Sequence, residues 1–154
     1  MTRGRVTVAL AALLAAGLSG CTGGDSLTLA DLGAQDLAGL NGPTVADTCD
    51  KLPEVRGSQG RGCGRGPSTG TVNVPLAPGD YAVVLLCEAP GTYRIEASTP
   101  KGAFDPVEVS CSDDDDPAVS ARITVPEPGL TQWHDSFDGE GQSVVQLVRV
   151  PEED

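Results

Sequence analysis

Residues 111–117 read Cys-Ser-Asp-Asp-Asp-Asp-Pro, and four consecutive carboxylates are the first candidates for chemistry in this chain. Calcium takes six to eight oxygen ligands, so Asp113, Asp114, Asp115 and Asp116 are the candidate metal ligands. Neighbouring carboxylates in an extended segment point in alternate directions, and no EF-hand spacing follows. A second acidic stretch, Asp135, Asp138 and Glu140, also fails that spacing, because Phe137 occupies a ligand position. The run is expected to be a solvated, edge-protecting connection. No cofactor is expected, with Ca2+ held between two distant loops as the alternative.

Nucleophilic catalysis lacks its parts. A serine nucleophile needs a base, His134 is the sole imidazole, and there is neither a Gly-x-Ser-x-Gly elbow nor a Ser-x-x-Lys. Acid pairs abound but none is singled out, so no catalytic residue is assigned and the chain is expected not to be an enzyme. Trp133 is the candidate ligand-stacking residue. Only Tyr81, Tyr93, Phe104 and Phe137 join it as aromatics, so core packing or a cap at one end of the fold is the stronger expectation.

Charge narrows the partners. Once an N-terminal segment holding Arg3 and Arg5 is removed, eight basic residues face twenty-two acidic ones, a net charge near −14. That field has the wrong sign for nucleic acid and for anionic lipid headgroups. Lys51, Arg56, Arg61 and Arg65 form a local exception, suited to a phosphate-rich wall polymer or simply to a solvated loop.

The elements that must position these residues follow from periodicity. Thr28, Asp31 and the leucines at 29, 32, 37 and 40 predict a short helix ended by Asn41-Gly42-Pro43. Residues 51–70 are rich in glycine without hydrophobic periodicity and are expected to form a loop pinned by Cys63. From Thr71 the pattern turns to period two. Val72, Val74 and Leu76 share a face, as do Tyr93, Ile95 and Ala97, then Val107, Val109 and Cys111, then Val119, Ala121, Ile123 and Val125. The segments 81–87 and 144–150 are apolar on both faces, as central strands are. Pro78-Gly79, Pro90-Gly91 and Pro128-Gly129 predict type II turns, and Asp138-Gly139 a tight hairpin. The expected fold is all-β, an antiparallel sandwich, Ig-like or jelly-roll-like, of about six or seven strands over 71–150, with 151–154 as an acidic tail.

There are five cysteines. Setting Cys21 apart leaves four, an even number suited to two disulfides in an oxidising compartment. With no Cys-x-x-Cys and one histidine, redox and zinc motifs are absent. Of three possible pairings, Cys49–Cys63 and Cys87–Cys111 join nearest neighbours and are the expected ones.

The N-terminus explains why Cys21 stands apart. Arg3 and Arg5 precede an apolar run from Val6 to Leu18, then Ser19 and Gly20, which is the layout of a secretory signal over 1–20. Thirteen residues of helix reach about 20 Å, short of a hydrocarbon core of about 30 Å. Leu18-Ser19-Gly20-Cys21 resembles the lipobox of bacterial lipoproteins. That resemblance implies lipidation of Cys21, cleavage before it, and an anchor in the cell membrane on its extracytoplasmic face, with 21–27 as lipidated cysteine and flexible spacer. Residues 28–70 then form the helix and pinned loop. The strand pattern and cysteine placement are similar to the disulfide-stapled sandwiches of small lipoproteins from high-GC Gram-positive bacteria, a resemblance that brings no functional residues with it. The expected role is a non-catalytic binding or scaffolding module for an envelope protein or wall polymer. The alternatives are a calcium-dependent adhesion module and a hydrolase of wall glycan or peptide.

Overall fold

The computed structural model describes residues 26–43, 45, 49, 51–112 and 114–152. The expected signal, Cys21, Asp113 and the last two residues of the acidic tail lie outside them. The described residues contain ten strands. The first five are β1 (Ser58–Arg65), β2 (Ser68–Leu76), β3 (Gly79–Cys87), β4 (Gly91–Thr99) and β5 (Gly102–Ala103). The rest are β6 (Val107–Cys111), β7 (Ala118–Val119), β8 (Ile123–Val125), β9 (Gly129–Phe137) and β10 (Gln142–Arg149).

Pairing is antiparallel and nested. β10 returns along β1, β9 along β2, β8 and β7 along β3, and β6 along β4. The chain is thus a long double strand, rolled so that successive pairs fall in opposite sheets. One sheet has the order β1-β10-β3 followed by β7 and β8; the other has β2-β9-β4 followed by β5 and β6. This is the winding of a jelly roll, one of the two sandwich types expected.

Rolling changes the meaning of the turn residues. Pro78-Gly79, Pro90-Gly91 and Pro128-Gly129 each carry the chain from one sheet to the other. They are not type II turns: Gly91 and Gly129 do not adopt positive φ, and Gly79 has φ 148°. Glycine is needed at 91 for a different reason, since a Cβ there would meet the Gly139 Cα at 2.5 Å. Asp138-Gly139 likewise crosses between sheets rather than closing a hairpin, and the Asp138 carboxylate accepts from the Thr92 amide at 2.6 Å.

The core between the sheets holds the period-two faces read from sequence, including Leu76, Tyr93, Ile95, Val109, Cys111 and Ile123. A second core lies outside the first sheet. There Ala82, Val84, Leu86, Val144 and Val148 are covered by Leu32, Leu37, Val45, Leu52 and Val55 of the N-terminal segment. β3 and β10 are apolar on both faces because each face meets its own layer, and each buried Val or Leu contributes about 2 kcal/mol. Gln146 fastens the outer layer from within: its Nε2 donates to the Pro53 carbonyl at 3.1 Å and its Oε1 accepts from the Val55 amide at 3.2 Å.

Four further expectations are corrected. The segment 58–70 is not a loop but β1 and the start of β2, so the sandwich begins before Thr71. The expected helix is one capped turn and a 3-10 turn, Gln35–Leu37. Thr28 and Asp31 do cap it, with the Thr28 amide donating to Asp31 at 2.7 Å, but Gly33 and Gly39 at φ 63° and 74° end each turn at once. Leu27 packs on the outer core, so the packed body starts inside the segment expected to be spacer. Finally, the strand expected over 118–125 is split. The Ser120 hydroxyl takes the Val83 amide at 2.9 Å in place of a backbone carbonyl, and Val119 and Ile123 end on opposite faces of the sheet.

Candidate functional site: a glycine-carved cleft between the sheets

β1 and β2 are end strands of their respective sheets on one side of the sandwich. In β1, glycine recurs at 60, 62 and 64, and these positions face inward. Gly60 and Gly62 stand opposite Leu147 and Val145, and Arg61 and Cys63, which alternate with the glycines, turn outward. Gly70 is the inward position of β2 opposite Asp135. At Gly62, Gly64 and Gly70 neighbours close in on the place of a side chain, with Val145, Ser68 and Asp135 at 3.2, 3.2 and 2.9 Å from where a Cβ would stand, and between the sheets a cleft of about 380 Å³ remains. A Cβ on Gly60 would meet nothing within 4 Å. Glycine weakens a strand, and here the outward residues compensate. Cys63 is bonded to Cys49, and Arg61 Nη1 donates to the Leu52 carbonyl at 2.9 Å.

The cleft walls are largely apolar, with Val72, Val74, Val83, Ile95, Val145 and Leu147 beside the polar residues Gln59, Ser68, Thr69 and Thr71. Val72 is 53% exposed because it looks into this open space. Two aromatic residues, Tyr93 and Trp133, also line it, and Asp135 is its one acidic side chain. Asp135 is half-buried and forms no ion pair among the described residues. Its carboxylate lies near the Tyr93 hydroxyl. Burial first, and then this neighbouring negative charge, raise the Tyr93 pKa far above that of a free phenol. On the same face of β9, Trp133 Nε1 and Thr131 Oγ1 are buried without hydrogen-bond partners among the described residues. The site therefore combines an apolar slot, two aromatic rings and one unpaired negative charge.

The remaining candidates fall elsewhere. Trp133 is 5% exposed, so it packs in the core as expected, and it also lines the cleft. His134 is one residue away but on the outer face of the sheet, where Nδ1 lies 3.0 Å from the Thr71 hydroxyl; Asp135 is on the inner face. The acidic run is organised from within by Asn41. Its Nδ2 donates to the carbonyls of Asp114 and Asp116, its backbone amide donates to that of Asp115, and its Oδ1 accepts from the Cys87 amide. The Asp116 carboxylate accepts from the Gly39 amide, and that of Asp114 from the Ser112 hydroxyl. Among the described residues no cluster of three or more His, Cys, Asp or Glu side chains is placed to hold a metal. Of the basic residues, Arg61 braces the outer layer, and Arg65 approaches Gln142.

Both expected disulfides are present, each with a Cα–Cα separation of 6.2 Å. Cys87–Cys111 joins β3 to β6 and so staples one sheet to the other away from the cleft. Cys49–Cys63 ties the outer layer to the strand that forms the cleft's edge. The cleft itself was missed from sequence, although a signal for it was present: glycine at every second position of 60–64 is a strand face without side chains. No protein-family model, no curated protein and no solved structure matches the chain, so the chemistry of the cleft rests on its own geometry.

Proposed function

We propose that this chain is a lipid-anchored, non-catalytic binding protein of a bacterial cell envelope, which takes an envelope component into the cleft between β1 and β2. The anchor follows from Leu18-Ser19-Gly20-Cys21 and from the even number of cysteines left when Cys21 is set apart. Two or more acyl chains hold a protein stably at a bilayer, where a single chain is marginal. The observation that carries the binding role is the cleft lined by the inward glycines of β1 and β2 and open at Gly60. It is a largely apolar slot with one carboxylate at its wall, and slots of a few hundred Å³ with few polar groups are the usual form of small-ligand sites.

Two measurements test the proposal. Cys21→Ser should move the protein from the membrane to the soluble fraction with an unchanged melting temperature; unfolding instead would refute the anchor. Solvent extracts of the protein purified from envelopes, compared by mass spectrometry with those of Gly60→Phe, should contain a compound that the filled-cleft variant lacks. Identical extracts would count against the cleft as the binding site.

A further inference from the structure

We infer that the cleft selects an organic ammonium: a positively charged amine on an apolar body. The inference rests on the cleft being the ligand site. Within the slot the only anionic group is the Asp135 carboxylate, and no cation among the described residues neutralises it. Arg61 is the one basic residue at the lining, and its guanidinium is engaged with the Leu52 carbonyl in the outer layer. A carboxylate at an apolar wall raises the value of a matching positive charge, because water screens the pair less there than at an open surface. Tyr93 and Trp133 line the same slot, and aromatic rings attract ammonium groups through their quadrupoles. The surplus of acidic residues over the whole chain, −12 by formal count, draws cations toward the protein and repels anions. Val72, Val74, Val145 and Leu147 then take the apolar body.

Trp133 is the single tryptophan of the chain, so its emission reports occupancy directly. The full chain is titrated with octylamine, octanol and octanoate, each below the concentration at which it aggregates. Octylamine should give a saturable change and octanoate none. Octylamine should bind at least about tenfold more tightly than octanol, the factor expected for gaining a partly desolvated charge pair. Asp135→Asn should reduce octylamine to the affinity of octanol while leaving octanol unaffected, and Gly60→Phe should abolish the response to both. If octylamine and octanol bind equally and Asp135→Asn changes neither, the ammonium inference is overturned while the cleft stands as a site. If none of the three perturbs Trp133, or Gly60→Phe leaves the responses intact, the cleft reading falls with it.

Discussion

Gly70 and Asp135 stand opposite each other in the β2–β9 register, and a Cβ on Gly70 would lie 2.9 Å from Oδ1 of Asp135. The carboxylate occupies the space that a side chain on residue 70 would take. Gly70→Ala should therefore displace Asp135 and destabilise the fold by about 1–3 kcal/mol, the usual cost of overpacking. Gly60→Ala should do the opposite, since its Cβ enters open space and strand glycine is worse than alanine by about 0.5–1 kcal/mol. Denaturant midpoints of the two variants check this: shifts of the same sign would mean that the cleft is not open at Gly60.

Tyr93 makes stability fall in alkali. Its folded pKa is raised, chiefly by burial and then by Asp135, while in the unfolded chain it titrates near its ordinary value of about 10. Its contribution is thus complete below about pH 10 and is lost as the pH rises toward the folded pKa, because only the unfolded chain ionises there. Tyr93→Phe should flatten the decline in urea midpoint between about pH 9 and about pH 11. An unchanged slope would place the alkaline sensitivity elsewhere.

Asn41 joins the N-terminal layer, the end of β3 and the acidic connection through one side chain. Asn41→Ala leaves the Cys87 amide without its acceptor and two carbonyls without donors, at a cost of about 2 kcal/mol or more. Hydrogen exchange should show the loss at the Cys87 amide first. Asn41→Asp should be no milder, since it removes both donors and brings a charge toward Asp114 and Asp116.

The two disulfides should fail differently. Each closes a short loop, with sequence separations of 14 and 24, worth about 3 kcal/mol in the chain-entropy model. Replacing both Cys87 and Cys111 by alanine should lower the melting temperature of the whole sandwich. Replacing Cys49 and Cys63 should leave amide protection in β3, β4 and β9 and lose it in β1, whose inward face has only glycine to pack with. Equal loss in every strand for the second pair would contradict the layered description.

Strand faces were legible wherever apolar residues alternate, as at 93–97 and 107–111, because burial on one face imposes period two. The same rule ran out at 118–125, where Ser120 substitutes a hydroxyl for a carbonyl in the ladder and reverses the faces. It ran out again at 58–70, because glycine has no side chain to record which way a strand faces. Among the candidate site residues, Trp133 was legible as a buried ring. The role of Asp135 was not, since one acid among twenty-two gives no sign of facing a cleft.

By itself the sequence determined the all-β class, the strand faces and both disulfide partners, and it supplied the lipobox resemblance at Cys21. These depend on local alternation and on near neighbours in the chain. The tertiary structure decided the nested jelly-roll pairing, the N-terminal layer over β3 and β10, and the cleft with Asp135 inside it. Those depend on which strand ends up opposite which: Gly70 and Asp135 are far apart in sequence and meet only when β9 returns along β2.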